Sequence, residues 1–324
     1  MLKVLELFAG IGACSKALTN LSIEHEIVDA VEIDKYAIKS FNAVHGTNFE
    51  AQDITKWDKD IECDIIMHGS PCQDFSAAGL QAGGDEGSGT RSSLMYETLR
   101  IVDKLKPKYV IWENVKNLLS RKHKHNFENY LSRMEQLGYR SYYEILDAQD
   151  FGVPQHRERV FTISTRNDIQ KNFSFPEKIK LTTFLKDVLE DDPGEKYYSM
   201  TELQRKVFDE AFKKKLIEPN DAIEFTYSNS RLNEIANGYI KKQNTQNNKV
   251  MSTIKTNPDQ IGVVVCANRA RKLTPRECWR LMGFSDKDFD KASKVCNPAQ
   301  LYKQAGNSIV VDVLYNILKE LLQQ

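Results

Sequence analysis

The chain of 324 residues lacks several features that would assign it to a class at once. Its 45 lysines and arginines balance 45 aspartates and glutamates, so the formal net charge is zero and no global polycationic surface is expected. Any contact with nucleic acid must then come from local patches. The six cysteines, at positions 14, 63, 72, 266, 278 and 296, form no CxxC pair and no Cys/His cluster. This spacing argues against a metal site and favours a reducing compartment.

Long apolar runs and internal repeats are also missing. No stretch approaches the roughly 20 apolar residues of a membrane span, and no signal peptide precedes the first apolar segment. A cytoplasmic protein without membrane contact is therefore expected. Because 41% of the residues are apolar, the chain has enough material for a full core and is predicted to hold two lobes.

The first 165 residues alternate short apolar runs with amphipathic stretches, which indicates an α/β fold with a doubly wound, mostly parallel sheet. The predicted strands cover 3–8, 26–32, 63–68, 108–113, 141–147 and 159–165. The predicted helices cover 14–20, 35–45, 91–105 and 125–137, the last ending at Gly138, and an amphipathic helix covers 308–322.

The alternation of predicted strands and helices stops from about 170 to 265, where acidic, lysine-rich and polar segments follow one another. This part is predicted to form a second, smaller domain. We expect a first domain of residues 1–170 plus 300–324 and a second domain of residues 171–299, which includes a basic block at 269–284.

A glycine turn at 8–12, with the sequence FAGIG, joins the first predicted strand to a helix. Ser15 replaces the third glycine of a dinucleotide fingerprint, so the turn alone is weak evidence. Glu32 ends the second strand about 20 residues later, where a carboxylate typically accepts hydrogen bonds from a ribose. Asp53 adds an acceptor suited to an adenine amino group. The pairing of the glycine turn with Glu32 fits NAD and also fits the adenosine of S-adenosylmethionine. An ordinary surface acid is the alternative for each carboxylate taken singly.

Cys72 lies in the segment GSPCQ, which follows the apolar run 65–67. Pro71 cannot continue a strand, so Cys72 is expected on a loop at a strand's carboxyl end, where ligands bind in open α/β sheets. Glu113 ends the next apolar run. A thiol and a carboxyl at the same edge suggest nucleophilic catalysis assisted by an acid. A buried structural cysteine and an exposed strand-end acid are the alternatives.

Two further groups of cations stand out. Arg157 and Arg159 alternate on a predicted strand, so both should point to one face, although a solvated edge strand would show the same pattern. Five cations fall within residues 269–280 and form either a nucleic-acid-facing stripe or contacts that hold the small domain together. A basic run at 121–125 is interpreted as a solvated helix entrance.

Taken in order, these motifs resemble the DNA cytosine-5 methyltransferase family of bacterial and phage restriction-modification systems. The matching elements are residues 8–12, Glu32, Asp53, residues 71–73 (PCQ), 113–115 (ENV), 155–159 (QHRER), 271–284 (RKLTPRECWRLMGF) and 304–308 (QAGNS). The resemblance covers most of the chain outside 170–265. It implies S-adenosylmethionine as methyl donor, S-adenosylhomocysteine as product, no metal, and double-stranded DNA from which a cytosine is flipped out.

The resemblance also implies roles for individual residues. Cys72 would attack the cytosine ring, Glu113 would hold its ring nitrogen and amine, and Arg157 and Arg159 would clamp its carbonyl and an adjacent phosphate. The residues expected to bind the cofactor are Phe8, Gly10, Ile11, Gly12, Glu32, Ile33, Asp53, Ile54, Pro71, Asn307 and Ser308. Those expected to bind DNA are Gln73, Ser76, Arg157, Arg159, Arg271 and Lys272.

Three alternatives remain at this point. An RNA cytosine-5 methyltransferase would share the catalytic apparatus, whereas a non-catalytic regulatory relative would need neither Cys72 nor Glu113. A nicotinamide oxidoreductase is disfavoured by the incomplete glycine fingerprint. We expect a nucleoid-associated monomer, with a cognate restriction endonuclease as a candidate partner, and we expect residues 171–265 to choose the DNA sequence.

Overall fold

A computed structural model describes residues 1–71, 87–170, 172–198, 213, 223–225, 250–257, 263–266 and 269–322. Cys72, Gln73 and Ser76 lie outside these residues, as does much of the predicted second domain. In the described part of the chain, no helix is both long enough and apolar enough to cross a bilayer.

The centre of the fold is a six-stranded sheet. The first seven strands of the chain are β1 (Leu2–Leu7), β2 (His25–Val31), β3 (Ile65–His68), β4 (Tyr109–Val115), β5 (Tyr139–Asp147), the short β6 (Gln155–His156) and β7 (Glu158–Arg166). All but β6 join the large sheet, in the order β2-β1-β3-β4-β7-β5. The first four are parallel, whereas β7 runs antiparallel to both β4 and β5. The predicted α/β fold with a mostly parallel sheet is thus confirmed.

Helices cover both faces of this sheet. They are α1 (Ala13–Asn20), α2 (Lys35–His45), α3 (Met95–Leu105), α4 (Lys124–Gln136), α5 (Leu185–Val188), α6 (Pro275–Arg280), α7 (Asp286–Ser293), α8 (Pro298–Asn307) and α9 (Val311–Leu322). The side chains of β1 alternate: Val4 packs with α1 and the C-terminal helices, and Leu5 packs with α3 and α4 on the other face. The carboxyl ends of β1, β3 and β4 therefore emerge together between two helical layers.

The C-terminal helices differ from the predicted single helix over 308–322. Asn307 ends α8 and Ser308 is its C-cap, so the two residues lie at the end of one helix and not at the start of the last one. Helix α9 begins three residues later, at Val311, and packs its apolar stripe against α1. The bend between α8 and α9 consequently brings residues 307–309 to the edge of the large sheet.

A second, smaller sheet lies in the part of the chain where the predicted alternation of strands and helices stops. Here β8 (Ile223–Phe225), β10 (Val263–Cys266) and β11 (Arg269–Lys272) are antiparallel in the order β11-β10-β8, while β9 (Met251–Ser252) pairs with β6. In contrast, α7 packs on α2 of the first lobe, where Lys291 donates to the Val44 carbonyl at 2.9 Å. We therefore propose that the small domain ends near residue 272 rather than at 299.

Candidate active site

The glycine turn after β1 is built from left-handed backbone. Phe8, Gly10 and Gly12 have φ values of 52°, 56° and 82°. Such an angle is uncommon for a residue with a side chain and marks Phe8 as strained. A Cβ on Gly12 would lie 2.1 Å from Nε2 of His45, so no larger residue fits without a shift of that side chain. The turn is therefore compact and rigidly placed at the carboxyl end of β1.

Glu32, Ile33 and Asp53 form a second group of predicted cofactor residues beside this turn. Glu32 Oε2 accepts from the Gly10 amide at 3.0 Å and Oε1 from the Asp34 amide at 2.8 Å, while burial raises its pKa. Ile33 is 72% exposed, an unusual state for a large apolar side chain. Asp53 caps the turn Ile54–Lys56 by accepting from the Thr55 amide at 3.0 Å. An apolar surface next to two carboxylates suits a nucleoside.

A cleft joins the glycine turn to the end of β4 and to the α8–α9 bend. Its lining consists of Glu6, Leu7, Phe8, Ala9, Gly10, Ile11, Ala13, Cys14, Met67, Gly69, Glu113, Asn307, Ser308 and Ile309. Five predicted cofactor residues, from two separate motifs, thus share one cavity with the predicted catalytic acid. Gly12, the group around Glu32, and Pro71 are not part of its lining.

Glu113 lines this cleft and is held by Arg159. The Arg159 Nε lies 3.0 Å from Glu113 Oε1, and the two side chains are 17% and 11% exposed. Burial raises the pKa of Glu113, while the charges of Arg159 and Arg157 oppose that shift. In register, Arg159 on β7 faces Val115 on β4. The arrangement suits a carboxyl that gives a proton or a strong hydrogen bond to a bound ring.

Arg157 occupies a different position from the predicted one. The residue is 4% exposed, and its guanidinium donates to three backbone carbonyls. These are the carbonyls of Ile254 at 3.3 Å, Gly306 at 3.1 Å and Ser308 at 2.8 Å. The side chain therefore does not share the Glu113 ion pair on a common DNA-facing surface. It connects the 250–257 segment to the α8–α9 bend inside the protein.

The position of Arg271 also contradicts a prediction from the sequence. It was predicted to contact DNA, yet its side chain is 0% exposed and pairs in bidentate fashion with Glu277, at 2.8 and 2.6 Å. A guanidinium without exposed surface cannot reach a phosphate. Arg276 lies 2.7 Å from Asp290, and Arg280 lies 2.8 Å from Asp286. These three arginines of the block are therefore neutralised internally and form no cationic stripe; Lys272 is half-buried.

Several residues of the site were missed or undervalued by sequence reasoning. Glu6 is buried in β1 and lines the cleft, where its carboxylate accepts from the Ser15 amide at 3.0 Å and from the Ser15 hydroxyl. Burial raises the pKa of Glu6 to about 7. The signal in the sequence is a charged residue inside an apolar strand. Ser70, Trp112 and Asn114, next to the predicted catalytic residues, are also buried polar groups.

The predicted nucleophile Cys72 and the predicted DNA contacts Gln73 and Ser76 lie beyond residue 71, outside the described residues. Four other cysteines, at positions 14, 63, 278 and 296, are buried free thiols. No group of three or more His, Cys, Asp or Glu side chains is placed to hold a metal ion within the described ranges.

Comparisons with known proteins agree with this architecture. A family model described as C-5 cytosine-specific DNA methylase matches residues 2–323. The type II methyltransferase M2.ScrFI of Lactococcus lactis subsp. cremoris is 37% identical and aligns over 100% of this chain and 99% of its own length. The type II methyltransferase M.HhaI of Haemophilus parahaemolyticus is 35% identical over 98% and 94%. The orphan methyltransferase M.SPBetaI of Bacillus phage SPbeta is 31% identical over 99% and 97%.

Two solved structures share the fold. The Dnmt2 methyltransferase of S. pombe has 21% identity and a TM-score of 0.72, with 100% of this chain and 99% of that chain covered. The methyltransferase EhMeth of Entamoeba histolytica has 18% identity and a TM-score of 0.70, with 100% and 98% covered. At these identities the likeness concerns the fold alone.

Proposed function

The chain belongs to the C-5 cytosine-specific DNA methylase family and is a DNA cytosine-5 methyltransferase, and we propose that Cys72 and Glu113 carry its chemistry with S-adenosylmethionine as methyl donor. The observation that supports these roles is the cleft in which Glu113, held by Arg159, meets the glycine turn after β1. Family membership favours DNA over the RNA alternative.

The chemistry explains why a thiol and a buried carboxyl are needed. Carbon 5 of cytosine is too weak a nucleophile to attack a sulfonium unaided, so the Cys72 thiolate first forms a bond to carbon 6. Electron density then moves to ring nitrogen 3, where Glu113 supplies a proton or hydrogen bond. Carbon 5 would then take the methyl group, with S-adenosylhomocysteine as the leaving group. Loss of the carbon 5 proton to a base such as water, followed by elimination of the thiolate, would restore the ring. Because a stacked base is inaccessible, the cytosine must be flipped out.

The residues around the glycine turn fit the proposed cofactor. In this proposal Glu32 would bind the ribose hydroxyls, the exposed Ile33 would contact one face of the adenine, and Asp53 would accept from the adenine amino group. The cleft lined by Phe8 and Gly10 would take the methionine part and direct the methyl group toward the base. The cofactor supplies the electrophilic methyl group when bound.

The covalent step can be tested with duplex DNA that carries 5-fluorocytosine at the target. Fluorine cannot leave as the proton does, so the enzyme should remain bonded to the base, and peptide mapping should place the adduct on Cys72. Cys72→Ala should form no adduct and transfer no methyl group, yet bind S-adenosylhomocysteine like the wild type. An adduct on Cys14, Cys63, Cys278 or Cys296 would refute the assignment; these thiols are buried, which makes them internal controls.

The relatives also bear on the biological setting. M2.ScrFI and M.HhaI are named type II methyltransferases, whereas M.SPBetaI is named an orphan. We propose that this chain modifies DNA either beside a cognate restriction endonuclease or without one. That it acts as a monomer in the cytoplasm stays a prediction from the sequence. Bisulfite sequencing of DNA from cells that express the chain would identify the modified site. Digestion of that DNA with endonucleases of known specificity would show which of them the methylation blocks.

A further inference from the structure

Ser70 lies two positions before Cys72 in the chain and is held by two side chains of β4. Trp112 Nε1 donates to Ser70 Oγ at 3.0 Å, and Asn114 Nδ2 donates to the Ser70 carbonyl at 3.2 Å. The three residues are 3%, 1% and 1% exposed, respectively. Water does not compete for such buried bonds, so their geometry is well defined.

The two anchoring residues flank Glu113 on the same strand. Side chains alternate along a strand, so Trp112 and Asn114 point to one face while Glu113 points to the other, into the cleft. On that side Gly69 approaches Glu113: a Cβ on Gly69 would lie 3.7 Å from Glu113 Oε2. A single strand therefore holds the chain before Cys72 and also carries the proposed acid, which fixes their relative position.

A buried aromatic cluster supports the anchor. The His68 and Trp112 rings stack with their centroids 5.6 Å apart and an interplanar angle of 10°, and the Tyr130 ring lies 4.2 Å from Trp112. Nε2 of His68 lies 3.0 Å from the Tyr130 hydroxyl. His68 also faces Trp112 in the β3–β4 register. The Trp112 indole is thus locked by neighbours that do not themselves reach the cleft.

We propose that Trp112 and Asn114 are positioning residues for methyl transfer, which hold Ser70 and thereby set the position of the backbone that leads to Cys72 relative to Glu113. The inference rests on the proposed roles of Cys72 and Glu113. Catalysis by orientation is sensitive to small displacements, since an error of about 1 Å can lower a rate by ~10²-fold. Loss of either bond should therefore slow the chemical step more than it weakens binding.

The test compares Trp112→Phe, Ser70→Ala and the double variant with the wild type. Trp112→Phe keeps the aromatic packing and removes the donor, while Ser70→Ala removes the shared hydroxyl. Each should slow single-turnover methyl transfer by roughly ten- to hundredfold, with the dissociation constants for S-adenosylhomocysteine and DNA nearly unchanged. The double variant should be no slower than the slower single one, because both changes break the same bond.

The matched control is Trp279→Phe. Trp279 is 0% exposed and its Nε1 donates to the Leu301 carbonyl at 3.0 Å, the same distance as in the Trp112 bond. It should lower the melting temperature and leave the rate unchanged. Burial lowers the pKa of His68 to about 3, so the anchor is neutral and the shape of the pH–rate profile should persist in all variants.

Two outcomes would overturn the inference. One is a Trp112→Phe rate within about threefold of the wild type, below the range expected for misplaced groups, with only the melting temperature lowered. The other is a double variant whose rate loss is the product of the single losses. Adduct formation with 5-fluorocytosine distinguishes an error in the positioning role from an error in the proposed catalytic roles of Cys72 and Glu113. If the wild type forms the adduct at Cys72 and the variants form it equally fast, only the positioning role is wrong.

Discussion

At the scale of single residues, Glu113 and Glu144 provide a natural comparison. Both lie opposite Phe161, Glu113 on β4 and Glu144 on β5, but Glu144 is exposed while Glu113 is buried beside Arg159. The two positions therefore carry the same group in the same sheet, one in the cleft and one in solvent.

Glu113→Gln should slow single-turnover methyl transfer far more than it weakens DNA binding. The amide keeps the shape of the side chain but cannot supply a proton, and general acid–base help is typically worth ~10²–10⁴-fold. Rapid-quench kinetics and fluorescence anisotropy would measure the two effects. Glu144→Gln is the control and should leave both unchanged. A Glu113→Gln rate within about threefold of the wild type, well below that range, would remove Glu113 from the chemistry.

Glu6 should make the stability of the protein depend on pH. Its pKa is raised to about 7 from an ordinary value of 4.5, so between these values the folded state retains a proton that the unfolded chain releases. Stability is unaffected by this group below about pH 4.5 and falls as the pH rises toward 7, by on the order of 3 kcal/mol.

Glu6→Gln should remove this loss, because the amide is neutral at every pH. Urea unfolding followed between pH 5 and 8 should show a flatter profile for the variant than for the wild type, whereas Glu24→Gln, at an exposed position, should retain the wild-type slope. If the wild-type and Glu6→Gln curves run parallel over this range, Glu6 is ionised in the folded protein.

At the scale of elements, local sequence patterns were sufficient to predict most strands of the large sheet. The predicted strand over 159–165 corresponds to β7, and the end of helix α4 near Gly138 agrees with its φ of 88°. Strand β6 could not be predicted as a strand of its own from the sequence, because it has only two residues and pairs with β9 almost a hundred positions away. Helix α8 was missed although Asn297 caps it by accepting from the Gln300 amide at 3.1 Å and Pro298 follows, a recognised start signal.

The basic block at 269–284 shows why positive charge alone was insufficient to predict a DNA-binding surface. Its sequence LTPRE is a capping box, in which Thr274 accepts from the Glu277 amide and Glu277 accepts from the Thr274 amide at 2.7 Å. The same Glu277 then pairs with Arg271. Breaking a buried pair of this kind typically costs about 3–5 kcal/mol. The capping signal is local and readable, but the pairing is a tertiary contact that periodicity cannot reveal.

At the scale of the whole molecule, catalysis and sequence choice are assigned to different parts of the chain. The cleft, Glu113 and the glycine turn belong to the large sheet, and phosphate contacts alone carry no sequence information. Specificity needs side chains that reach base edges. The segment 171–265 contains none of the recognised motifs, and we propose that it holds these side chains.

The described contacts indicate where a chimera should be joined. Gln155 Oε1 accepts from the Ile254 amide at 3.1 Å, and Arg157 donates to the Ile254 carbonyl at 3.3 Å. Residues 250–257 are thus tied to the catalytic lobe, and their replacement could disturb the α8–α9 bend through Arg157. A chimera that exchanges only residues 171–249 leaves these contacts intact, and it should be compared with one that exchanges 171–265.

Exchange of 171–265 for the corresponding region of M.HhaI should transfer the target sequence of that enzyme, because in this proposal the catalytic lobe contacts only the flipped cytosine and not the edges of the neighbouring bases. Bisulfite sequencing would identify the new site, and calorimetry should show an unchanged affinity for S-adenosylhomocysteine. If the 171–249 chimera also acquires the new site, the residues that determine the target sequence precede residue 250. If only the 171–265 chimera acquires it, residues 250–265 contribute to target recognition. A chimera that binds S-adenosylhomocysteine normally and still methylates the original site would place recognition in the catalytic lobe.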